Sequence, residues 1–338
     1  MQVANGPNSG TSALVADNGQ LYTGGDSYDY PYSGEQSWVR RWDGSRWAAI
    51  SGILNGPVKD MAMDGNGNLY VGGWFTHHGA MDAGNVQMWD GLSWSSLDTG
   101  TNDGVQAVAV DSKNNLYAGG IFSTAGGKPA PGVAMWDGTD WEPLGSGILG
   151  AVRALAVDGN DRLYAGGTFS SIGGVAANNI ARWNGTGWSA LGAGADDTVY
   201  ALAIDSNDVL YAGGGFTQAG GKAAVGVASY KAGSWSALGQ GVLKWVQTLA
   251  VDSQNNLYVG GYVFEAGGQT VGGIAKWDGS QWSALGSGLN NLTGSLAVDG
   301  DDNLYVGGYF WKAGGEPAYQ VARWLAQEDC YLPIVIRQ

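Results

Sequence analysis

One interval governs this chain. Aspartate recurs at Asp17, Asp64, Asp111, Asp158, Asp205, Asp252 and Asp299, always 47 residues apart. The aromatic of a Trp-Asp-Gly segment recurs at Trp42, Trp89, Trp136, Trp183, Tyr230, Trp277 and Trp324, at the same interval. A second tryptophan follows five residues later at Trp47, Trp94, Trp141, Trp188, Trp235 and Trp282. A Leu-Tyr-x-Gly-Gly segment carries Tyr22, Tyr70, Tyr117, Tyr164, Tyr211, Tyr258 and Tyr305. Its first interval is 48 and the rest are 47, so the first Asp-to-Tyr turn is one residue shorter. Seven copies of 47 account for 329 of the 338 residues. A repeat of this length is one supersecondary unit that buries its apolar face only against neighbouring copies.

Each copy reads as four strands. In the third, 105–111 alternates and is β-rich, and 111–115 is a turn by composition. Residues 116–122 form a second strand, 125–130 a loop and 133–136 a third strand. Asp137-Gly138 is a hairpin turn, and 141–144 is a fourth strand. The 3.6-residue period of a helix is absent. The pattern predicts an all-β, seven-bladed β-propeller with four antiparallel strands per blade. It would be a single domain over 1–338, with blades from about 11, 58, 105, 152, 199, 246 and 293. The seventh copy has Asp329 where an outer-strand tryptophan is due, and either chain end matches the missing strand in phase. The C-terminal segment, roughly 329–334, is favoured for that strand, with the tail running to 338. The doublets Gly72-Gly73 and Gly119-Gly120 are expected to make room for tryptophan rings between blades.

Composition removes other classes. Sixty glycines far exceed the usual share of about 7 per cent. Glycine at every third position, which collagen needs, is absent. The many Trp, Tyr, Val and Leu oppose disorder, and no apolar run reaches the roughly 20 residues of a membrane-spanning helix. A net charge of −14 disfavours nucleic acid and anionic membrane surfaces as partners. Cys330 is the single cysteine, so an intramolecular disulfide is impossible. The first residues lack the basic and apolar regions of a signal peptide, which leaves a cytosolic chain or a removed leader as alternatives.

The segments Leu-Tyr-Val-Gly-Gly, Trp-Asp-Gly and the following Trp resemble the kelch-type repeat. A closer likeness is to the repeats of cortical cell-polarity marker proteins and related bacterial surface proteins. It is carried by 163–169, Ile172-Gly173-Gly174 and 180–183, and extends over all seven copies. The resemblance implies a propeller in an extracellular or cell-surface setting and implies no reaction. Kelch-type radical copper oxidases need Tyr, Cys and His ligands at the hub. With two histidines in one loop and a terminal cysteine, that chemistry is not carried over.

Four groups of residues are candidate sites. Asp64, Asn66 and Asn68, and likewise Asp299, Asp301 and Asn303, match the opening of a calcium loop. Phe75 and Phe310 stand where its closing Glu belongs, so an Asx-type turn is the stronger reading. His77 and His78, with Asp82 nearby, are too few for a zinc site. No other cofactor is indicated.

Aromatics that break the repeat are more informative: Trp38, Trp74, Trp245 and Trp311, and Tyr28, Tyr30, Tyr32, Tyr200, Tyr262, Tyr309 and Tyr319. Most fall in blades 6, 7, 1 and 2 or the loop into blade 6, in loops that a propeller gathers on one face. Tyr28, Tyr30, Trp74, Trp245, Tyr262, Tyr309 and Trp311 are the candidate ligand-binding set, for a glycan or a protein. Interblade packing is their structural alternative. The second residue of each inner strand varies: Ser12, Lys59, Gln106, Arg153, Tyr200, Gln247 and Gly294. Of these, Lys59, Gln106, Arg153, Tyr200 and Gln247 are candidates at a channel mouth, where the two cations could hold a carboxylate or sulfate. No nucleophile with an adjacent base and no carboxylate pair stands at the hub, so the sequence points to binding through one face. Structural self-assembly is the alternative, and a polysaccharide-active enzyme the least supported reading. The sequence leaves the oligomeric state open.

Overall fold

The computed structural model describes residues 9–27, 37–318, 320–325 and 334–335. Among them, seven sheets carry a four-strand antiparallel path, and no residue is helical. The third sheet is representative: Val105–Val110 pairs with Leu116–Gly120, which pairs with Val133–Trp136 and then Trp141–Pro143. The first strands of successive sheets pack side by side around an axis, and the first sheet packs against the seventh, so the ring is closed. Blades are numbered 1 to 7 in chain order.

The second strand explains the Leu-Tyr-x-Gly-Gly segment. That five-residue segment is buried along its whole length in blades 2 to 7, because both its faces lie between sheets. Gly72-Gly73 and Gly119-Gly120 do not accommodate tryptophan, contrary to the expectation above. A Cβ on the first glycine would meet the β-branched residue that opens the next inner strand. It would lie 2.5 Å from Val58 Cγ1 at Gly24, 2.6 Å from Val199 Cγ1 at Gly166 and 2.5 Å from Thr11 Cγ2 at Gly307. The last pair repeats the interblade contact across the ring closure. A Cβ on the second glycine would meet a carbonyl of its own blade, such as that of Pro57 at Gly73. The tryptophan rings lie instead on loop glycines: Trp141 on Gly126 and Trp282 on Gly267.

The recurrent aspartates organise the turns between first and second strands. Asp111 Oδ1 accepts N–H bonds from Lys113 and Asn115, and Oδ2 accepts from Asn115 Nδ2 and the Tyr117 hydroxyl. Burial and the neighbouring carboxylate push the hydroxyls of Tyr70 and Tyr211 up to about 12. In blade 1 the shorter turn is the two-residue hairpin Asn18-Gly19, both at positive φ. Elsewhere the left-handed turn residue reaches back to the preceding blade. Asn114 accepts from Gly65 N, Asp161 from Ser112, Asn255 from Ser206 and Asp302 from Ser253.

Blade 7 receives its outer strand from the C-terminus. Ile334–Val335 pairs with Val321–Trp324 in the register Ala322↔Val335 and Arg323↔Ile334. Blade 6 pairs Ala275↔Ala284, so equal spacing would place residue 331 opposite Ala322. The observed partner lies four residues further on, within the tail beyond the expected 329–334 core.

Candidate functional site

Antiparallel meanders put the loops between second and third strands on the same face as the segments joining blades. This loop face is well ordered by hydrogen bonds. Asn55, Asn102, Asp196 and Asn290 each accept two backbone N–H bonds from the neighbouring loop, at 76–77, 123–124, 217–218 and 311–312. The corresponding positions of blades 4 and 6 hold Leu149 and Leu243. There strand pairing, Leu149↔Ser171 and Leu243↔Glu265, holds the loop. Both leucines are exposed, Leu149 at 70 per cent. The sequence survey followed aromatics and passed over them, although the Asx-to-Leu departure is visible at positions 55, 102, 149, 196, 243 and 290.

Eleven large hydrophobic side chains are exposed among the described residues, and ten lie on this face: Ile53, Trp74, Met81, Ile121, Leu149, Leu243, Trp245, Phe264, Tyr309 and Trp311. Only Leu92, in a hairpin at the opposite end, does not. Four of the candidate aromatics, Trp74, Trp245, Tyr309 and Trp311, are thus exposed. Tyr262 is half-buried and meets Trp245 edge-on at 5.7 Å. Trp38 lies in a third strand, half-buried, with the Arg40 guanidinium 4.6 Å from its ring centre. Tyr28, Tyr30, Tyr32 and Tyr319 lie outside the described residues. Packing and exposure coexist: Trp74 covers Gly104 of blade 3, and Tyr309 covers Gly10 of blade 1.

The channel mouth opens at the centre of the same face. Every inner strand carries a register shift at the same position of the repeat, for example between Val58 and Asp60, Val105 and Ala107, and Val152 and Ala154. Bulges re-aim a side chain out of the ladder. Here the bulged residues Ser12, Lys59, Gln106, Arg153, Tyr200, Gln247 and Gly294 all line one cavity of about 270 Å³. Lys59 Nζ lies 5.5 Å from the centre of the Trp74 ring, and Arg153 Cζ lies 5.8 Å from that of Tyr200. Arg153 Nε also donates to Thr168 Oγ1 at 3.2 Å.

Asp60 is the one carboxylate among the described residues lining this cavity. Its Oδ1 accepts from Met61 N and its Oδ2 from Val108 N of the next blade, at 2.9 and 2.8 Å. Burial pushes its carboxyl up to about 7, against the opposing pull of these two N–H bonds. Thr248 makes the corresponding bond to Leu296 N in blade 6. Asp60 breaks the repeat, since Ala13, Ala107, Ala154 and Ala201 stand at its phase; that departure was the available signal, and it went unused because attention stayed on aromatics and on the neighbouring variable position.

The remaining candidates are held by local bonds. Asp64 Oδ1 accepts from Asn66 N and Asn68 N, and Oδ2 from Asn68 Nδ2. Asp299 binds Asp301 N and Asn303 in the same way. These carboxylates and Asn68 and Asn303 thus form Asx turns. No group of three potential metal ligands occurs among the described residues. His77 Nε2 lies 3.3 Å from Asp82, while both ring nitrogens of His78 are engaged, by Gly52 N and Gln87 Oε1.

No protein-family model matches this chain. No curated protein matches it either. Among solved structures, the WD40 β-propeller domain of Doa1 is similar, with a TM-score of 0.59 and 13% identity over 96% of this chain and 95% of that one. The structure of YCF48 bound to D1 peptide has the same TM-score and identity, covering 98% and 96%. The extracellular domain of the two-component system BT4673 from B. thetaiotaomicron matches at a TM-score of 0.52 and 17% identity. That match covers 82% of this chain, which spans about a third (34%) of that domain. At these identities the likeness is one of fold.

Proposed function

We propose that this chain is a non-catalytic interaction propeller that docks a protein partner on its loop face. The observation that carries the reading is the segregation of exposed apolar side chains: ten of eleven among the described residues share one face. Clustered large apolar groups rimmed by polar residues supply binding energy at protein interfaces. The aliphatic members favour protein over sugar. Ile53, Ile121, Leu149 and Leu243 offer no ring to stack on a saccharide, and two of them replace a loop-fastening Asx residue. Structural neighbours that bind a peptide or form an extracellular domain fit this reading and a cell-surface setting. Trp74, Trp245 and Trp311, each with an exposed indole, support a second reading as a glycan-stacking surface.

Leu149→Asn and Leu243→Asn restore the residue type of the other blades and should leave the fold intact. Affinity capture with the wild type, the double variant and the opposite-face variant Leu92→Ser tests the docking face. A partner retained by Leu92→Ser and lost by the double variant is expected. A partner set unchanged by both contradicts it. Glycan-array binding abolished by Trp74→Ala and Trp311→Ala would favour the second reading.

A further inference from the structure

We propose that the channel mouth is an anion seat for one acidic side chain of the docked protein, held between Lys59 and Arg153. This deepens the reading of the loop face as a docking surface and rests on it. Three observations carry it.

The first is geometric. The seven inner strands all bulge at the same residue, so the cavity is lined by side chains re-aimed out of their ladders. The scaffold at this phase is constant and the side chain is free to vary. Long polar groups occupy five adjacent blades, from Lys59 to Gln247, and Ser12 and Gly294 leave the opposite side open.

The second is electrostatic. Among the described residues, Lys59 and Arg153 form no salt bridge, as is also true of Lys222, Lys276 and Lys312; what sets them apart is that both line the central cavity. Two uncompensated cations flank Gln106 in a cavity of a chain with net charge −14. A concave site with low-dielectric walls focuses such a field on an entering anion. Asp60 forms no ion pair with either: its two oxygens accept backbone N–H groups, and burial raises its carboxyl to about 7, so its negative charge at the cavity is partial near neutral pH.

The third is pre-organisation. The ammonium rests over Trp74, and the guanidinium lies beside Tyr200 and is tied to Thr168. Heads fixed in this way lose less freedom when a carboxylate arrives. Trp74 of the apolar rim lies against Lys59 of the mouth, so a partner segment on the rim brings its side chains beside the cavity.

The probes are acetyl-Gly-Gly-Glu-Gly-Gly-amide, its Gln counterpart, and galacturonate, titrated at low salt while the indole N–H of Trp74 and the Nε–H of Arg153 are followed by NMR. The Glu peptide should shift both signals saturably and the Gln peptide should not. Lys59→Gln and Arg153→Gln should each weaken binding about tenfold, at unchanged thermal midpoint. Equal responses to the Glu and Gln peptides, or full binding by the double variant, overturn the seat. Galacturonate binding tenfold more tightly than the Glu peptide overturns the protein source in favour of an acidic sugar. Capture of a partner that depends on Leu149 and Leu243 but not on Lys59 and Arg153 overturns the seat and leaves the docking face standing. Saturable Glu-peptide binding with no partner dependent on those leucines overturns the docking face instead.

Discussion

The indole N–H of Trp141 donates to the carbonyl of Leu97, 44 residues earlier in the preceding blade, at 2.9 Å. Trp94, Trp188, Trp235 and Trp282 repeat the bond to Ile50, Leu144, Leu191 and Leu238. Trp47 departs from them: among the described residues its buried Nε1 has no hydrogen-bond partner, and a step back of 44 residues reaches Val3, which lies outside them. Replacing Trp141 by Phe removes the donor and leaves the Leu97 carbonyl bare, at a cost of about 2 kcal/mol including lost packing. Trp47→Phe should cost about 1 kcal/mol less, since it has no such bond to lose. Denaturant titration of the two variants checks the difference, and equal losses would contradict the role given to the bond.

The doublet glycines make a steric prediction. Alanine at Gly166 would place its Cβ 2.6 Å from Val199 Cγ1 and 3.2 Å from Val199 Cβ, in an interface with no free volume. Overpacking of this kind should cost on the order of 2 kcal/mol. Gly187 has nothing within 4 Å and no positive φ, so Gly187→Ala should stay within about 0.5 kcal/mol. Thermal unfolding of both variants checks the contrast.

Asp60 gives the channel a pH signature. Its carboxyl is raised to about 7 in the folded chain from an ordinary 3.8, so between those values the folded state binds more protons than the unfolded one. Stability from this group therefore falls as pH rises from about 4 to 7 and is constant beyond. In Asp60→Ala, the residue already present at Ala107 and Ala154, that component should vanish. The measurement is the unfolding midpoint of both chains from pH 4 to 8. Parallel curves would rule out a proton held by Asp60.

The hydrogen bonds of His78 select one tautomer. The Gly52 N–H donates to its Nε2 at 2.9 Å, which leaves the ring proton on Nδ1, 3.0 Å from Gln87 Oε1. The ring also meets Trp94 edge-on at 5.2 Å. Long-range nitrogen–proton NMR correlations of the imidazole distinguish the two tautomers, and an Nε2–H pattern would contradict this arrangement.

Much of the fold was legible along the chain because each strand and turn is specified within a few residues. Asp111 reaches Lys113 and Asn115, and Asn18-Gly19 makes a two-residue hairpin. The glycine doublets were misassigned for the opposite reason. The atoms that exclude a Cβ belong to residues such as Val58 and Val199, more than 30 positions away. The C-terminal source of the closure strand was legible, whereas its register was not, because the last segment does not keep the 47-residue spacing. The aromatic arc was visible as a departure from the repeat, whereas Leu149 and Leu243 became conspicuous only once the loops fastened by Asn55 and Asn102 were seen.

A strict period in strand and turn residues is enough to make this chain a ring of like sheets, because each copy buries its faces only against its neighbours. Where the side chains that break the period go is set by packing between blades. A bulge changes the direction of Lys59 and Arg153 without altering their spacing. Whether Trp74 or Leu149 is buried or offered to a partner depends on the adjoining blade, whose contacts no local pattern records.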